Sequence, residues 1–178
     1  MQRWRVPLGF ASGALFLFFA KPMLGLLLIG GLVALPGLAL RAWASGHLRK
    51  NESLAMSGPY AFTRNPLYLG SFLIGLGFTI AAGQWLLAII PIVMLVGIYL
   101  PVMRVESATL TRLFGKKYER YSKEVPLFLP RLSPYRSAVT SARFDRDLYF
   151  RYREYRAALG VVIAWALLAL KMIYFKQG

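Results

Sequence analysis

The apolar residues of this chain fall into five blocks, at residues 6–20, 23–43, 67–83, 85–103 and 157–175. Each approaches the roughly 20 residues an α-helix needs to cross a bilayer. Lys21-Pro22 parts the first two blocks, and Ala81-Ala82-Gly83-Gln84 turns the third into the fourth as a helical hairpin. Pro36 and Pro91 fall inside blocks and predict kinks, which neighbouring helices tolerate in a membrane. Gly30-Gly31, Gly75 and Gly77 leave room for close helix packing. The pattern predicts an all-α, polytopic transmembrane protein of about five membrane helices, forming one domain over residues 1–178 without an internal repeat.

The first block follows Arg3 and Arg5 as a signal peptide would. However, Phe18-Phe19-Ala20 is not a small-x-small cleavage site and Lys21-Pro22 follows, so the block reads as a retained, short membrane helix. Two longer polar segments separate the other blocks. Residues 41–66 form a connector with a turn. Residues 104–156 begin helically, because Glu106, Leu110, Leu113 and Phe114 recur at helical spacing. Val125-Pro126-Leu127-Phe128-Leu129-Pro130 cannot continue that helix. Residues 144–156 alternate charges and aromatics, which predicts an amphipathic helix on the headgroups ahead of the last block.

Composition adds a formal net charge of +15. The cations flank apolar blocks, so membrane lipids are the expected partners and nucleic acid is not. With the N-terminus inside, every Lys and Arg of the 22 except Lys21, Lys171 and Lys176 falls on inner segments. The positive-inside rule then sets both polar segments on the cytoplasmic side of a multi-pass protein. Cysteine is absent, which removes disulfides, a thiolate nucleophile and Cys-based metal sites. His47 is the single histidine and argues against a His-ligated zinc or a Ser-His-Asp triad. No metal is expected.

Two stretches carry candidate chemistry. Gly58-Pro59-Tyr60-Ala61-Phe62-Thr63-Arg64-Asn65-Pro66-Leu67-Tyr68-Leu69-Gly70 runs from a polar turn into an apolar helix. Pro66 suits a helix start, and free backbone amides there favour an anion. Arg64 fits equally a residue snorkelling to lipid phosphate, with Tyr60 and Tyr68 as interfacial aromatics. Glu106 lies just past the fourth block, where a carboxylate is costly unless paired or functional. It fits an ion pair with Arg104, Arg112 or a lysine, or a partner for a cationic ligand group. Phe114-Gly115-Lys116-Lys117-Tyr118-Glu119-Arg120-Tyr121 fits a surface helix after a glycine break, or aromatics stacked on a ligand.

Taken together, Gly58, Tyr60, Arg64-Asn65-Pro66, Tyr68, Gly70, the apolar hairpin, Glu106, Leu110, Phe114-Gly115, Tyr118, Tyr121 and Val125-Pro126 form a specific pattern. It resembles the isoprenylcysteine carboxyl methyltransferase and phospholipid methyltransferase superfamily, over roughly residues 46–130. Residues 143–178 would then be an interfacial helix and the last membrane helix. The resemblance implies an integral membrane enzyme that uses S-adenosylmethionine at a cytoplasmic-face pocket and methylates a lipophilic or small-molecule acceptor at oxygen, sulfur or nitrogen. The cofactor contacts it implies are His47, Glu52, Ser53, Leu54, Ala55, Tyr60, Asn65, Pro66, Leu67, Tyr68 and Glu106. Arg64 and Glu106 would be catalytic, with Arg64 or helix-start amides facing the cofactor's carboxylate. Arg104, Tyr118 and Tyr121 would bind the acceptor.

Two departures bear on the acceptor. Ser107 follows Glu106 where the superfamily often has a second acid, and Val102 stands where the carboxyl-methylating branch carries an arginine. These changes point away from a prenylcysteine carboxylate more than from the cofactor. Two rival readings are a non-catalytic membrane scaffold of the same fold and a reductase of the sterol-reductase kind.

Overall fold

The computed structural model describes residues 13–49, 53–136 and 143–175. Most of the first apolar block lies outside them, as do Arg3, Arg5, Lys50, Glu52 and Lys176. Residues 13–19 are helical. Helix α1 (Leu24–Ser45) leads into a connector holding a 3-10 turn, Gly58–Ala61. Then come α2 (Pro66–Ala81), α3 (Trp85–Phe114), α4 (Lys116–Glu124), α5 (Arg146–Arg151) and α6 (Tyr155–Phe175). No strand occurs among the described residues. The all-helical expectation therefore holds.

Among the described residues, three helices are long and apolar enough to cross a membrane: α1, α3 and the 155–174 stretch of α6. Helix α2 is apolar but has 16 residues, about 24 Å at 1.5 Å per residue, short of a full hydrocarbon layer. Of the five expected crossings, the first lies mostly outside the described residues, three meet the length criterion and α2 falls short of it. The fourth apolar block was expected to end near residue 103 with a helical stretch beyond it, and the two form one helix running on to Phe114. Its 30 residues span about 45 Å, so one end projects beyond any 30 Å layer. Pro91 sits in its first turns, just after the 3-10 stretch Trp85–Ala88. A π-turn at Leu95–Tyr99 precedes Pro101, whose missing N–H and ring cannot continue regular α-bonding. Helix α1 continues through Pro36.

The tightest packing joins α1 to α2, antiparallel. A Cβ on Gly30 would lie 2.4 Å from the Gly77 carbonyl oxygen, and one on Gly37 2.6 Å from that of Gly70. Backbone meets backbone here, and only glycine fits. Gly75 touches Pro91 of α3 and Gly31 faces Trp165 of α6. All four glycines expected to permit close packing sit at helix contacts.

The bundle has two unlike ends. At one, Lys21 N–H bonds the Ala82 carbonyl at 2.7 Å, and the Lys171 ammonium donates to the Leu17 and Phe18 carbonyls at 2.6 and 2.9 Å. These carbonyls close the leading helical segment, where a cation offsets the helix dipole. Above them lies an apolar core of Phe16, Leu27, Leu87 and Leu168, with Phe78 and Trp165 rings 4.8 Å apart. The other end gathers the connector, the projecting part of α3, α4 and α5. The expected amphipathic helix over 144–156 is shorter than its pattern suggests. The Asp145 side chain caps α5, and Arg153, at φ 54°, breaks the chain before α6 begins.

Candidate active site

The polar end is assembled by backbone carbonyls that loops cannot pair among themselves. The 126–135 strip runs beside the connector: Arg64 N–H bonds the Pro126 carbonyl at 3.0 Å, Arg131 N–H the Phe62 carbonyl and Tyr135 N–H the Ala61 carbonyl, both at 2.9 Å. Side chains complete the seam. Thr63 Oγ1 donates to the Phe128 carbonyl at 2.8 Å, and Asn65 Nδ2 to the Leu127 carbonyl at 2.9 Å. Asn65 therefore anchors this strip and does not cap α2 with its side chain. Tyr121, 2% exposed, donates its hydroxyl to the Tyr60 carbonyl at 2.7 Å. Burial, and then neighbouring tyrosines, push both phenols well above their ordinary range, so they stay neutral.

Tyr68, one residue into the helical path set by Pro66 and Leu67, reaches across to α3. Its hydroxyl donates to Glu106 Oε1 at 3.1 Å, and its ring lies 5.2 Å from that of Tyr99. Tyr99 and Glu106 are two helical turns apart, hence on one face of α3. Glu106 itself is exposed. Ser107, beside it, accepts from the Tyr118 hydroxyl at 2.8 Å, and that hydroxyl accepts from Arg64 Nη1 at 3.1 Å. Gly115 makes this meeting possible: at φ 50° it ends α3 and folds α4 back, returning Tyr118 to Ser107. Arg64 Nε is buried and has no hydrogen-bond partner.

The structure thus gathers Tyr60, Arg64, Asn65, Pro66, Leu67, Tyr68, Glu106, Tyr118 and Tyr121 at one end. Leu54 is buried beside Tyr118 and Tyr121, with Ser53 exposed and Ala55 half-buried on the same stretch. Glu52 lies outside the described residues. His47 is buried: Nδ1 is 2.9 Å from the Trp43 carbonyl, and its ring packs where a side chain on Gly58 would sit. Gly58, at φ 58°, has no room for a Cβ. Arg104 is exposed, and no ion pair to Glu106 forms among the described residues.

Sequence reasoning missed Arg41, counted only as an inner cation. Its guanidinium bonds Ser71 Oγ at 2.5 Å, the Leu67 carbonyl at 3.3 Å and Glu154 at 2.8 Å. It ties the first turn of α2 to the start of α6. The signal was available as a cation at a membrane-helix end with an acid ahead of the last block. A cavity of about 260 Å³ lies within the bundle, lined by Phe72, Ile74, Phe78, Met94, Tyr99 and Leu168 among others. Ser71, bonded to Arg41, and Tyr99, beside Tyr68, are among its walls toward the polar end. Among the described residues no three His, Asp or Glu side chains cluster as a metal site requires.

The chain is 35% identical to the nickel-cobalt-cadmium resistance protein NccN of Alcaligenes xylosoxydans xylosoxydans, over 56% of this chain and 47% of that protein. It is 32% identical to the cobalt-zinc-cadmium resistance protein CzcN of Cupriavidus metallidurans, with the same coverage of 56% and 47%. It is 26% identical to the protein-S-isoprenylcysteine O-methyltransferase of Schizosaccharomyces pombe, over 68% of this chain and 53% of that enzyme. The chain spans about half the length of these curated relatives. No solved structure matches. The sequence model of the phospholipid methyltransferase family covers residues 24–117, from the first turn of α1 into α4 and through the whole cluster from Tyr60 to Glu106. This chain is an integral membrane protein and belongs to the phospholipid methyltransferase family.

Proposed function

We propose that this protein is an S-adenosylmethionine-dependent methyltransferase whose site is the polar end of the bundle, on the cytoplasmic face. The observation that carries the reading is the meeting of Tyr68, Tyr99 and Glu106: two aromatic rings and an exposed carboxylate converge where α2 leaves the connector. Aromatic faces and a carboxylate suit a ligand bearing a sulfonium and an ammonium. The unpartnered Nε of Arg64 suits a carboxylate. The donor set therefore fits this cofactor. When bound, S-adenosylmethionine supplies a methyl group activated by its sulfonium.

The residues divide the work. Glu106 accepts hydrogen bonds from the cofactor's amino group, and the Tyr68 hydroxyl holds that carboxylate in place. Tyr60, Asn65, Pro66 and Leu67 shape the wall, with His47, Ser53, Leu54 and Ala55 behind it. Arg64 supplies positive charge. Arg104 is the exposed acceptor contact. Tyr121 is a brace, because its hydroxyl is spent on the Tyr60 carbonyl. In-line transfer needs alignment and exclusion of water more than a strong base, unless the acceptor is an amine that must first lose a proton. The apolar cavity behind Tyr99 supports a lipophilic acceptor. The charge distribution supports this sidedness: Arg41, Arg49, Arg64 and Arg104 lie at the motif end, and Lys21 and Lys171 at the other.

The test is transfer of label from methyl-labelled S-adenosylmethionine to acceptors, using full-length protein in detergent. Membrane lipid extract, thiols, amines and prenyl thioether acids are offered in parallel. Transfer by wild type and its loss in folded Glu106→Ala is expected. Failure with every acceptor, together with binding of a nicotinamide dinucleotide, would move the reductase reading ahead.

A further inference from the structure

One hydrogen-bond chain joins Arg64 to two residues without a proposed cofactor role, Tyr118 and Ser107. Arg64 Nη1 donates to the Tyr118 hydroxyl at 3.1 Å. That hydroxyl passes its single proton to Ser107 Oγ at 2.8 Å. Tyr118 is 2% exposed, so the link is built into the interior. A guanidinium only donates, so Arg64 polarises the Tyr118 hydroxyl toward donating to Ser107. Ser107 has therefore already accepted, and its own proton has no acceptor among the described residues. A hydroxyl polarised in this way is a stronger donor than an isolated one.

Arg64 is also electrically uncompensated. The ion pairs among the described residues are Arg41 with Glu154 and Arg131 with Glu124. Glu106, one residue from Ser107, has Oε1 engaged by Tyr68. The guanidinium carbon of Arg64 stands 6.0 Å from the Tyr118 ring centre, and its Nε is buried without an acceptor. An unmet buried donor costs free energy that a ligand acceptor would recover. An acid at position 107 would neutralise this charge through Tyr118. Serine leaves it available.

We propose that Arg64 and Ser107, joined through Tyr118, form a seat for an oxyanion, either a carboxylate or a phosphate group on a ligand of the proposed site. The inference rests on the methyltransferase reading only for the source of that anion. The cofactor carries one carboxylate, and an acidic acceptor would bring another. Arg64 is the charge, Ser107 the neutral donor, and Tyr118 the positioning residue between them.

The experiment uses full-length protein in detergent and three variants, Ser107→Ala, Ser107→Asp and Tyr118→Phe, each checked for folding by size exclusion. Binding of S-adenosylmethionine is compared with that of its decarboxylated analogue. In a second arm, inorganic phosphate and dodecanoate are scored by the thermal stabilisation they give. If the cofactor's carboxylate occupies the seat, wild type prefers the carboxylated form by about tenfold or more, as a hydrogen bond to a charged group implies. Ser107→Asp then abolishes that preference while affinity for the analogue is kept. If an acceptor's anion occupies it, both cofactor forms bind alike, and Ser107→Asp removes the stabilisation by phosphate or dodecanoate. Wild-type behaviour of Ser107→Asp and Ser107→Ala in both arms overturns the seat. Loss of both cofactor forms in wild type, with Ser107-dependent stabilisation by phosphate or dodecanoate retained, would overturn the methyltransferase reading and leave the seat standing.

Discussion

The middle of the α1–α2 seam and its polar end hold the same two helices together by opposite means. In the middle, Gly30 and Gly37 press against the backbone of Gly77 and Gly70. Shape does the holding there, and no side chain is left to react. At the polar end, Arg41 reaches from α1 to the Leu67 carbonyl and Ser71 on α2, then on to Glu154. Around it, Thr63, Asn65 and Tyr121 each satisfy a carbonyl of an irregular segment. The lesson is a division of labour. Glycine contact fixes the helices so closely that the polar end can devote its side chains to positioning irregular backbone and an exposed carboxylate.

Adding volume to the middle should break the comparison most sharply. Gly37→Leu forces a side chain into the Gly70 carbonyl and Leu73, neither of which can yield. Thermal unfolding in detergent should show a loss of about 3 kcal/mol or more, at the upper end for overpacking. A loss below about 1 kcal/mol would mean the seam is not closed. Next in size is Glu154→Ala, which strands Arg41 with side chains only 20% and 14% exposed across the pair. Removing one partner of such a pair should cost about 2 kcal/mol, less than a fully buried one. Exchanging both residues for apolar ones should recover most of it. Tyr121→Phe leaves the Tyr60 carbonyl without its donor and should cost about 1–2 kcal/mol. Unchanged stability in that variant would remove Tyr121 from the role of brace. The smallest effect is expected at the far end. Lys171→Met loses bonds to two carbonyls that a half-wet helix end can satisfy otherwise, so about 0.5 kcal/mol is expected, with no change in ligand binding.

The contrast also explains what could be read from the sequence. Apolar runs are local, so α1, α2 and α6 were expected at residues 23–43, 67–83 and 157–175, and they formed at Leu24–Ser45, Pro66–Ala81 and Tyr155–Phe175. The helical spacing from Glu106 to Phe114 was legible, but its continuity with the apolar block was not, because Arg104 to Arg112 reads as a change of solvent where the backbone simply leaves the apolar layer. The glycines at 30, 31, 75 and 77 were legible as small. That Gly37 faces Gly70 was not, since their meeting depends on how two distant segments align. The same holds at the site. Tyr68 and Glu106 carried a resemblance, so both were named before their contact was known. Ser107 looked like a missing acid, and its bond to Tyr118 depends on the fold-back at Gly115, whose glycine break was visible but whose direction was not. Arg153, with its positive φ, gave no sequence sign that it would divide the charged segment before α6.

The central claim is that the polar end binds S-adenosylmethionine through Glu106. It is tested most directly by measuring the affinity of purified full-length protein in detergent for that cofactor, beside folded Glu106→Ala. The account predicts saturable binding by wild type and at least about tenfold weaker binding by the variant, the loss expected for a charge-assisted contact. Absence of binding by well-folded wild type, or equal affinity in the two proteins, would contradict it.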